Sequence, residues 1–450
     1  MSSLLDQSAL MTAAERLVAA ARRAGADAAD AVAVRSIALS VQVLNGAVEE
    51  SERAESDDFG LRVFVGRRAA LVSTSDLAGD AVDRVAERAV AMARIAPDDQ
   101  YVGLADAELL VRNPPDLDLL DPDLAGVDLL EQRAQAAEAA GLAVAGVSKS
   151  AGASAATGIG GLVLVTSHGF SGAYLGSSHS VSMTAIAGEG TGMERDYDYT
   201  TAPHAADLES PEAIGRTAGE RAVKRLNPRK VETHRVPIVF HPRAAGSLVG
   251  HLASAINGAS IARKTSFLQD RLGERLFPAG IRIVDDPLRR RGLRSRPFDS
   301  EGVGGQSLAL VDDGVLRSWI LDCASARELG LRSTGHAQRG VSSAPSPAAS
   351  NLHLEGGSKS TDELIGEIAQ GFYVTDLIGM GANTVTGDYS RGAAGFWIVN
   401  GELAYAVSEV TIAGHLTDMF STLEPANDLT FRFGVNAPTL RVEGLTVAGL

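Results

Sequence analysis

A single cysteine, Cys323, in 450 residues means that no intramolecular disulfide can hold this chain together and no cysteine cluster can build a zinc site within it. The fold must therefore rest on buried apolar surface. The length allows this: at roughly 150 residues per domain the chain makes about two or three units, and one this long buries on the order of three quarters of its unfolded surface. A content of 45% hydrophobic and 22% charged residues is that of an ordinary globular protein. The lone cysteine also fits a reducing compartment.

Forty-one Lys and Arg stand against 56 Asp and Glu, a formal net charge of −15, which argues against a broad footprint on nucleic acid or an anionic membrane. The cluster Arg289, Arg290, Arg291, Arg294 and Arg296 lies beside acidic residues and reads as a polar interface. The start, Met1-Ser-Ser-Leu-Leu-Asp-Gln-Ser, lacks a basic segment followed by an apolar stretch, and no run near 18 apolar residues occurs, so the expectation is a cytoplasmic protein. Phosphate-binding loops are poorly supported. Gly356-Gly-Ser-Lys-Ser360 lacks P-loop spacing, and Gly188-Glu-Gly-Thr-Gly192 opens no helical pattern.

Local signals divide the chain into residues 1–96, a linker over 97–123, a middle region 124–230 and a C-terminal region 231–450. In the first, Thr12 with Glu15 reads as a capping box for a helix that Gly25 stops. Ala31 to Leu44 alternates as a strand, Leu61 to Thr74 reads as a hairpin, and Asp76 to Ala93 returns to a helical period. The linker assignment rests on the proline and aspartate of Pro97 to Asp123. In the middle region Asp128 reads as a cap, strands are expected to break at Gly158-Ile-Gly-Gly161, and Ser210-Pro211-Glu212 opens a helix that Asn227-Pro228 ends. Beyond residue 231 strands dominate. They are interrupted by helices near Ala244 to Ala255 and from Ser360, where Ser360 and Glu363 form a second box; Asn400-Gly401 is the strongest hairpin signal. Ser342 to Ser350 reads as a flexible loop or short polyproline stretch.

The nine histidines show no metal-binding spacing, and His241 and His251, ten apart, would project from different faces of one helix. No Gly-x-Ser-x-Gly elbow follows a strand. Within Gly387-Asp388-Tyr389-Ser390-Arg391-Gly392, a glycine at each end of a polar stretch reads as a tight loop, either a structural turn or a peptide-binding feature, with Ser390 the nearest candidate for a special serine.

Several segments, in order, are similar to the TldD/TldE (PmbA) peptidase family. They are Phe59-Gly-Leu-Arg-Val-Phe-Val65, Gly250-His-Leu-Ala-Ser-Ala-Ile-Asn-Gly258, Arg263-Lys-Thr-Ser-Phe-Leu268, Phe298-Asp-Ser-Glu-Gly-Val303, Gly387-Asp-Tyr-Ser-Arg-Gly-Ala393, Gly395-Phe-Trp397 and Ser408-Glu-Val-Thr-Ile-Ala-Gly414. The likeness spans nearly the whole chain and most resembles the TldE (PmbA) branch. It implies an α+β fold, with an N-terminal helix and strand region followed by a β-rich, barrel-like C-terminal domain. It also implies a heterodimer with a TldD-type partner, acting as a cytoplasmic zinc protease on unstructured peptides.

In the TldD branch the resemblance places zinc on a His-Glu-x-x-x-His helix and a cysteine near the C-terminus. The matching helix here reads Gly246-Ser247-Leu248-Val249-Gly250-His251, so only the last histidine remains, and Asn427 to Pro438 contains no cysteine. Gly246 offers no ligand, and Ser247 cannot act as a carboxylate base. The expectation is a chain with no catalytic residue and no metal of its own, zinc being held by the partner subunit. Its partners are then a TldD-type chain and an unfolded peptide, with no nucleic acid and no membrane. Two alternatives stay open: a regulatory or binding protein that modulates gyrase or an antitoxin without a protease partner, and a self-sufficient hydrolase using Ser390 or His251.

Overall fold

The computed structural model describes residues 6–449; the Met1 to Leu5 part of the N-terminal reading, and the outermost residues of the 1–96 and 231–450 regions, lie outside them. In chain order the first half comprises α1 (Ser8–Arg23), β1 (Ala28–Leu44), β2 (Ala47–Val65), β3 (Arg68–Thr74), α2 (Ala81–Ile95), α3 (Val127–Leu142), β4 (Val147–Thr166), β5 (Ser171–Ala187), β6 (Glu194–Ala202) and α4 (Pro211–Lys224). The six strands make one sheet in the order β3-β2-β1-β4-β5-β6. Residues 1–96 and 124–230, separated in the sequence reading, thus share a sheet: β1 pairs with β4 from Asp30 opposite Thr166 to Val43 opposite Ala153. Helices α1 and α2 bury Leu17, Ala21, Ala86 and Ala89 against one end of it, while α3 and α4 bury Leu130, Ala134, Ile214 and Ala218 near the other.

Local expectations fare differently here. The β1–β2 turn is Asn45-Gly46, both at positive φ, as a tight hairpin requires. Strand β2 is far longer than the expected Leu61 start because Ala47 to Ser56 is exposed and charged, with no alternation to betray it. Thr12 caps nothing: α1 starts four residues earlier, and the Thr12 hydroxyl donates back to Ser8 O at 2.9 Å. Asp128 is likewise in the first turn of α3, after Gly126. Gly158 to Gly161 does not break a strand but lies inside β4, where a Cβ on Gly158 would stand 2.9 Å from Ile37 O on the neighbouring strand. Ser210 does cap α4, its hydroxyl accepting from Ala213 N–H.

Residues 97–123 contain no helix or strand, yet they are strapped down rather than free. Val111 N–H donates to Gly302 O at 3.0 Å, Arg291 N–H to Leu117 O at 2.9 Å and Ser177 N–H to Leu119 O at 2.9 Å, and Leu104 and Leu117 are buried.

The C-terminal half runs β7 (His234–Phe240), α5 (Pro242–Ala255), α6 (Gly258–Ala262), β8 (Ile283–Asp285), β9 (Leu308–Asp312), β10 (Val315–Leu316), α7 (Cys323–Leu329), β11 (Ala337–Gln338), β12 (Ser346–Pro347) and β13 (Leu352–Leu354). It continues through α8 (Thr361–Gly366), β14 (Gln370–Ile378), β15 (Asp388–Val399), β16 (Glu402–His415), α9 (Leu416–Ser421), β17 (Glu424–Pro425), β18 (Val435–Asn436) and β19 (Leu440–Ala448). The order β16-β15-β14-β7-β19 closes on itself through β16–β19 pairing, Thr411 opposite Ala448, which makes a five-stranded barrel with β17 outside it. The α+β fold with a barrel-like C-terminal domain is therefore present. Asn400-Gly401 forms the β15–β16 turn, and Ser360 with Glu363 forms a reciprocal capping box on α8. Part of the expected loop Ser342 to Ser350 pairs instead, β12 lying antiparallel to β11. The largest core joins barrel to helix: Phe240, Phe372, Tyr389 and Trp397 pack with Leu248 and Leu252 of α5.

Candidate functional site

Helix α5 follows the end of β7. Pro242 occupies its first turn, and His241 caps it, Nδ1 accepting the Arg243 N–H at 3.1 Å. Leu248, Val249 and Leu252 anchor its inner face. The four positions singled out on this helix are distributed as follows. Gly246 faces the backbone of β18, where a Cβ would approach Val435 O to 3.1 Å. Ser247 has its hydroxyl engaged by Ala244 O at 2.7 Å. Gly250 looks into an open cleft with nothing near it. His251 is half-buried, edge-on to the Tyr389 ring with centroids 5.9 Å apart, and its Nε2 finds no partner among the described residues. Burial above all, with Arg391 adding to it, pulls the His251 pKa down to about 4, so the ring is neutral at pH 7.

The structure thus joins two motifs that were separate in sequence, His251 and the Gly387 to Arg391 segment. That segment corrects the loop expectation. Gly387 sits at φ +89° at the end of a turn, but Asp388, Tyr389, Ser390 and Arg391 already belong to β15 and pair with β16, Asp388 opposite His415 and Arg391 opposite Ile412. Strand alternation buries Tyr389 and exposes Ser390 on the opposite face, so Ser390 is turned away from His251. A serine–histidine pair is not formed.

A zinc ion needs three or four donors. Gly246 supplies none, the Ser247 hydroxyl is already committed, and among the described residues no group of three or more His, Cys, Asp or Glu is placed to hold a metal. Cys323 lies in α7, buried, its thiol pushed up by burial and by Glu301. The residues at this helix do not fit zinc.

Of these positions Gly250 alone lines a cleft of about 650 Å³. Gly250, Ser254 and Asn257 form one wall, Arg294, Arg296 and Ser300 another, and Gln338 with Pro347 of the β11–β12 pair a third. Behind it lies a buried polar cluster. Asp30 of β1 accepts from Arg339 Nη1 at 2.6 Å and from Arg62 Nε at 2.9 Å. Asp299 accepts the backbone N–H groups of Glu301, Val303 and Ala337, and burial and the neighbouring Glu301 push its pKa up to about 7. The polar-interface reading of the arginine cluster holds for Arg290 and Arg291, which pair with Asp118, and Arg291 also reaches Asp207. Arg294 and Arg296 point elsewhere, and sequence reasoning did not separate them from their neighbours. Arg339 was missed entirely because nothing local marks it. A second cleft, about 680 Å³, opens at the other end of α5, but Arg225 and Arg243 there are neutralised by Asp196, and Arg221 by Asp198.

Comparison with known proteins is consistent along the chain. Residues 29–93 match PmbA/TldA metallopeptidase domain 1, residues 121–226 the central domain and residues 233–449 the C-terminal domain. The Metalloprotease PmbA of Escherichia coli O157:H7 is 37% identical over 425 residues, covering 94% of this chain and 92% of that protein. A solved structure from Bacteroides thetaiotaomicron, described as a candidate modulator of DNA gyrase, superposes with a TM-score of 0.90 at 26% identity, covering 98% of each chain. TldE from Thermococcus kodakarensis has the same fold, with a TM-score of 0.86 at 22% identity over 97% of this chain and 100% of that one.

Proposed function

This chain belongs to the PmbA/TldD metallopeptidase family, and we propose that within it the chain is the TldE (PmbA)-type, non-catalytic subunit of a heterodimeric TldD/TldE zinc metalloprotease that acts on unstructured peptides. The observation that carries this reading is the chemistry of α5. Where a His-Glu-x-x-x-His helix would present two imidazoles and a carboxylate, this helix presents a glycine, a serine whose hydroxyl is already bonded, and one histidine held neutral against Tyr389. Zinc and the water it activates then belong to the partner, and this chain contributes the cleft beside α5 to the binding of extended peptide. The name of the Escherichia coli relative supports the peptidase class. No described helix is long and apolar enough to cross a membrane. We place the complex in the cytoplasm, away from membrane and nucleic acid.

Coexpression with a TldD-type chain tests this. One heteromeric species by light scattering, with peptide hydrolysis that requires both chains, is the expected result. Clean separation into unassociated chains at micromolar concentration would overturn it. A regulatory role without a protease partner is the second reading, favoured by the description of the Bacteroides relative; it requires function in a background lacking every TldD-type chain.

A further inference from the structure

The cleft beside α5 has an unbalanced charge. Of the residues that line it, three are arginines and none is an aspartate or glutamate; the rest are hydroxyl, amide and small apolar groups. This is notable in a chain with 15 more acidic than basic residues. Arg339 is held by Asp30, but Arg294 and Arg296 enter no ion pair within 4.0 Å among the described residues. Arg294 is exposed at the mouth, and the missing side chain of Gly434 makes room for it, since a Cβ there would collide with its guanidinium. Arg296 is half-buried; its Nη2 donates to Ala348 O at 3.3 Å while its buried Nε has no partner among the described residues. The acids nearby are already engaged. Asp30 is shared by Arg62 and Arg339; Asp299, whose field Arg296 feels without an ion pair, has both oxygens bonded to backbone N–H groups.

We propose that this cleft recognises carboxylate groups on extended peptides, with Arg294 and Arg296 as the binding residues. A guanidinium presents paired donors matched to a carboxylate, and one that forms no ion pair keeps donors for that contact. Gln338 adds a neutral amide suited to a peptide backbone, while Ser254 and Asn257 are bonded within the chain, to Gly250 O and Pro347 O, and shape the wall. A cleft of about 650 Å³ accommodates a few residues of chain. The global negative charge repels acidic peptides, so their capture has to come from this local field. The choice of a peptide as occupant rests on the subunit reading above; the carboxylate preference rests on the cleft alone. Carboxylates reach it from two sources, Asp or Glu side chains and a free C-terminus.

The test is fluorescence anisotropy on the purified full chain without partner, using four labelled octapeptides: glutamate-containing and amidated, neutral with a free C-terminus, neutral and amidated, and lysine-containing and amidated. At least one carboxylate-bearing peptide should bind tenfold or more tighter than the neutral amidated one, and which of the two does so identifies the source. Raising NaCl from about 50 to 500 mM should weaken that binding. Arg294→Ala with Arg296→Ala should weaken it at least tenfold, and Arg317→Ala, outside the cleft, should leave it unchanged. Ser254→Glu, on the exposed face of α5, keeps both arginines and places an acid in the cleft; it should weaken the same binding without touching the core. Equal affinity for the neutral amidated peptide, a preference for lysine, or indifference to both the double alanine and the Ser254→Glu change would overturn the proposal. Because no turnover or partner is involved, that failure leaves the subunit reading standing, while failure to associate with a TldD-type chain leaves this binding result intact.

Discussion

Asp30 and Arg339, 309 residues apart in sequence, meet at 2.6 Å from Oδ1 to Nη1, and both side chains are almost completely buried. The contact joins the N-terminal sheet to the segment that borders the cleft. Arg62, opposite Asp30 across the β1–β2 pair, binds the other carboxylate oxygen. Although burial alone would raise it, the two guanidinium groups hold the Asp30 carboxyl below the usual carboxylate range.

Asp30→Ala should therefore destabilise the chain by about 3–5 kcal/mol, because it leaves the buried Arg339 guanidinium without an ion-pair partner and Arg62 with only Glu301 at 3.9 Å. Urea denaturation midpoints measure it. Arg23→Ala, which removes the exposed Arg23–Asp83 pair, should barely move the midpoint. Equal effects would show that the buried triad is not what couples the two regions.

The purified chain should contain no stoichiometric zinc and cleave no peptide alone. Elemental analysis after dialysis against a weak chelator reads the first, and a peptide-release assay the second. Metal near one per chain would require His251 to be reassigned and would reopen an independent hydrolase.

Rebuilding the motif on paper, Gly246→His with Ser247→Glu, should not restore hydrolysis. Positions 246 and 251 are about 140° apart around a regular helix, so both imidazoles converge on one ion only if the turn widens. The new Cβ at 246 also presses on Val435 O at 3.1 Å, forcing either α5 or β18 to give. His251 faces Tyr389, while Gly250 faces the cleft. Zinc-dependent turnover by this double variant alone would show that the scaffold had kept a working metal site.

His241 should make stability depend on pH below neutrality. Its Nδ1 must be unprotonated to accept the Arg243 N–H, and burial, then Arg221 and Arg243, pull its pKa down to about 4 from an ordinary value of 6.5. Between those values the unfolded chain takes up a proton that the folded chain refuses. This contribution is fully present above pH 6.5 and is lost as pH falls toward 4, by about 3 kcal/mol at most. His241→Asn keeps a capping acceptor and cannot titrate, so its loss of stability between pH 7 and pH 5 should be smaller than that of the parent. Identical pH profiles in urea melts would exclude His241 as a source of the acid sensitivity.

What was legible in the sequence was what short-range chemistry dictates. Ser210-Pro211 opens α4, Ser360 with Glu363 boxes α8, and Asn400-Gly401 turns β15 into β16, because a cap or a two-residue turn is decided by the neighbours within a few residues. That Gly246 brings no side-chain donor atom was equally legible, whereas only the structure shows the Ser247 hydroxyl bonded to Ala244 O. Tertiary structure decided the rest. It put Gly158 inside β4 because another strand passes too close for a Cβ, and it merged residues 1–96 and 124–230 through the β1–β4 ladder. It also closed the barrel by pairing Thr411 with Ala448, turned Ser390 away from His251, and left Arg294 and Arg296 without an ion pair among the described residues while Arg290 and Arg291 found Asp118. Each of these depends on which distant surfaces meet, and local propensity carries no information about partners tens to hundreds of residues away.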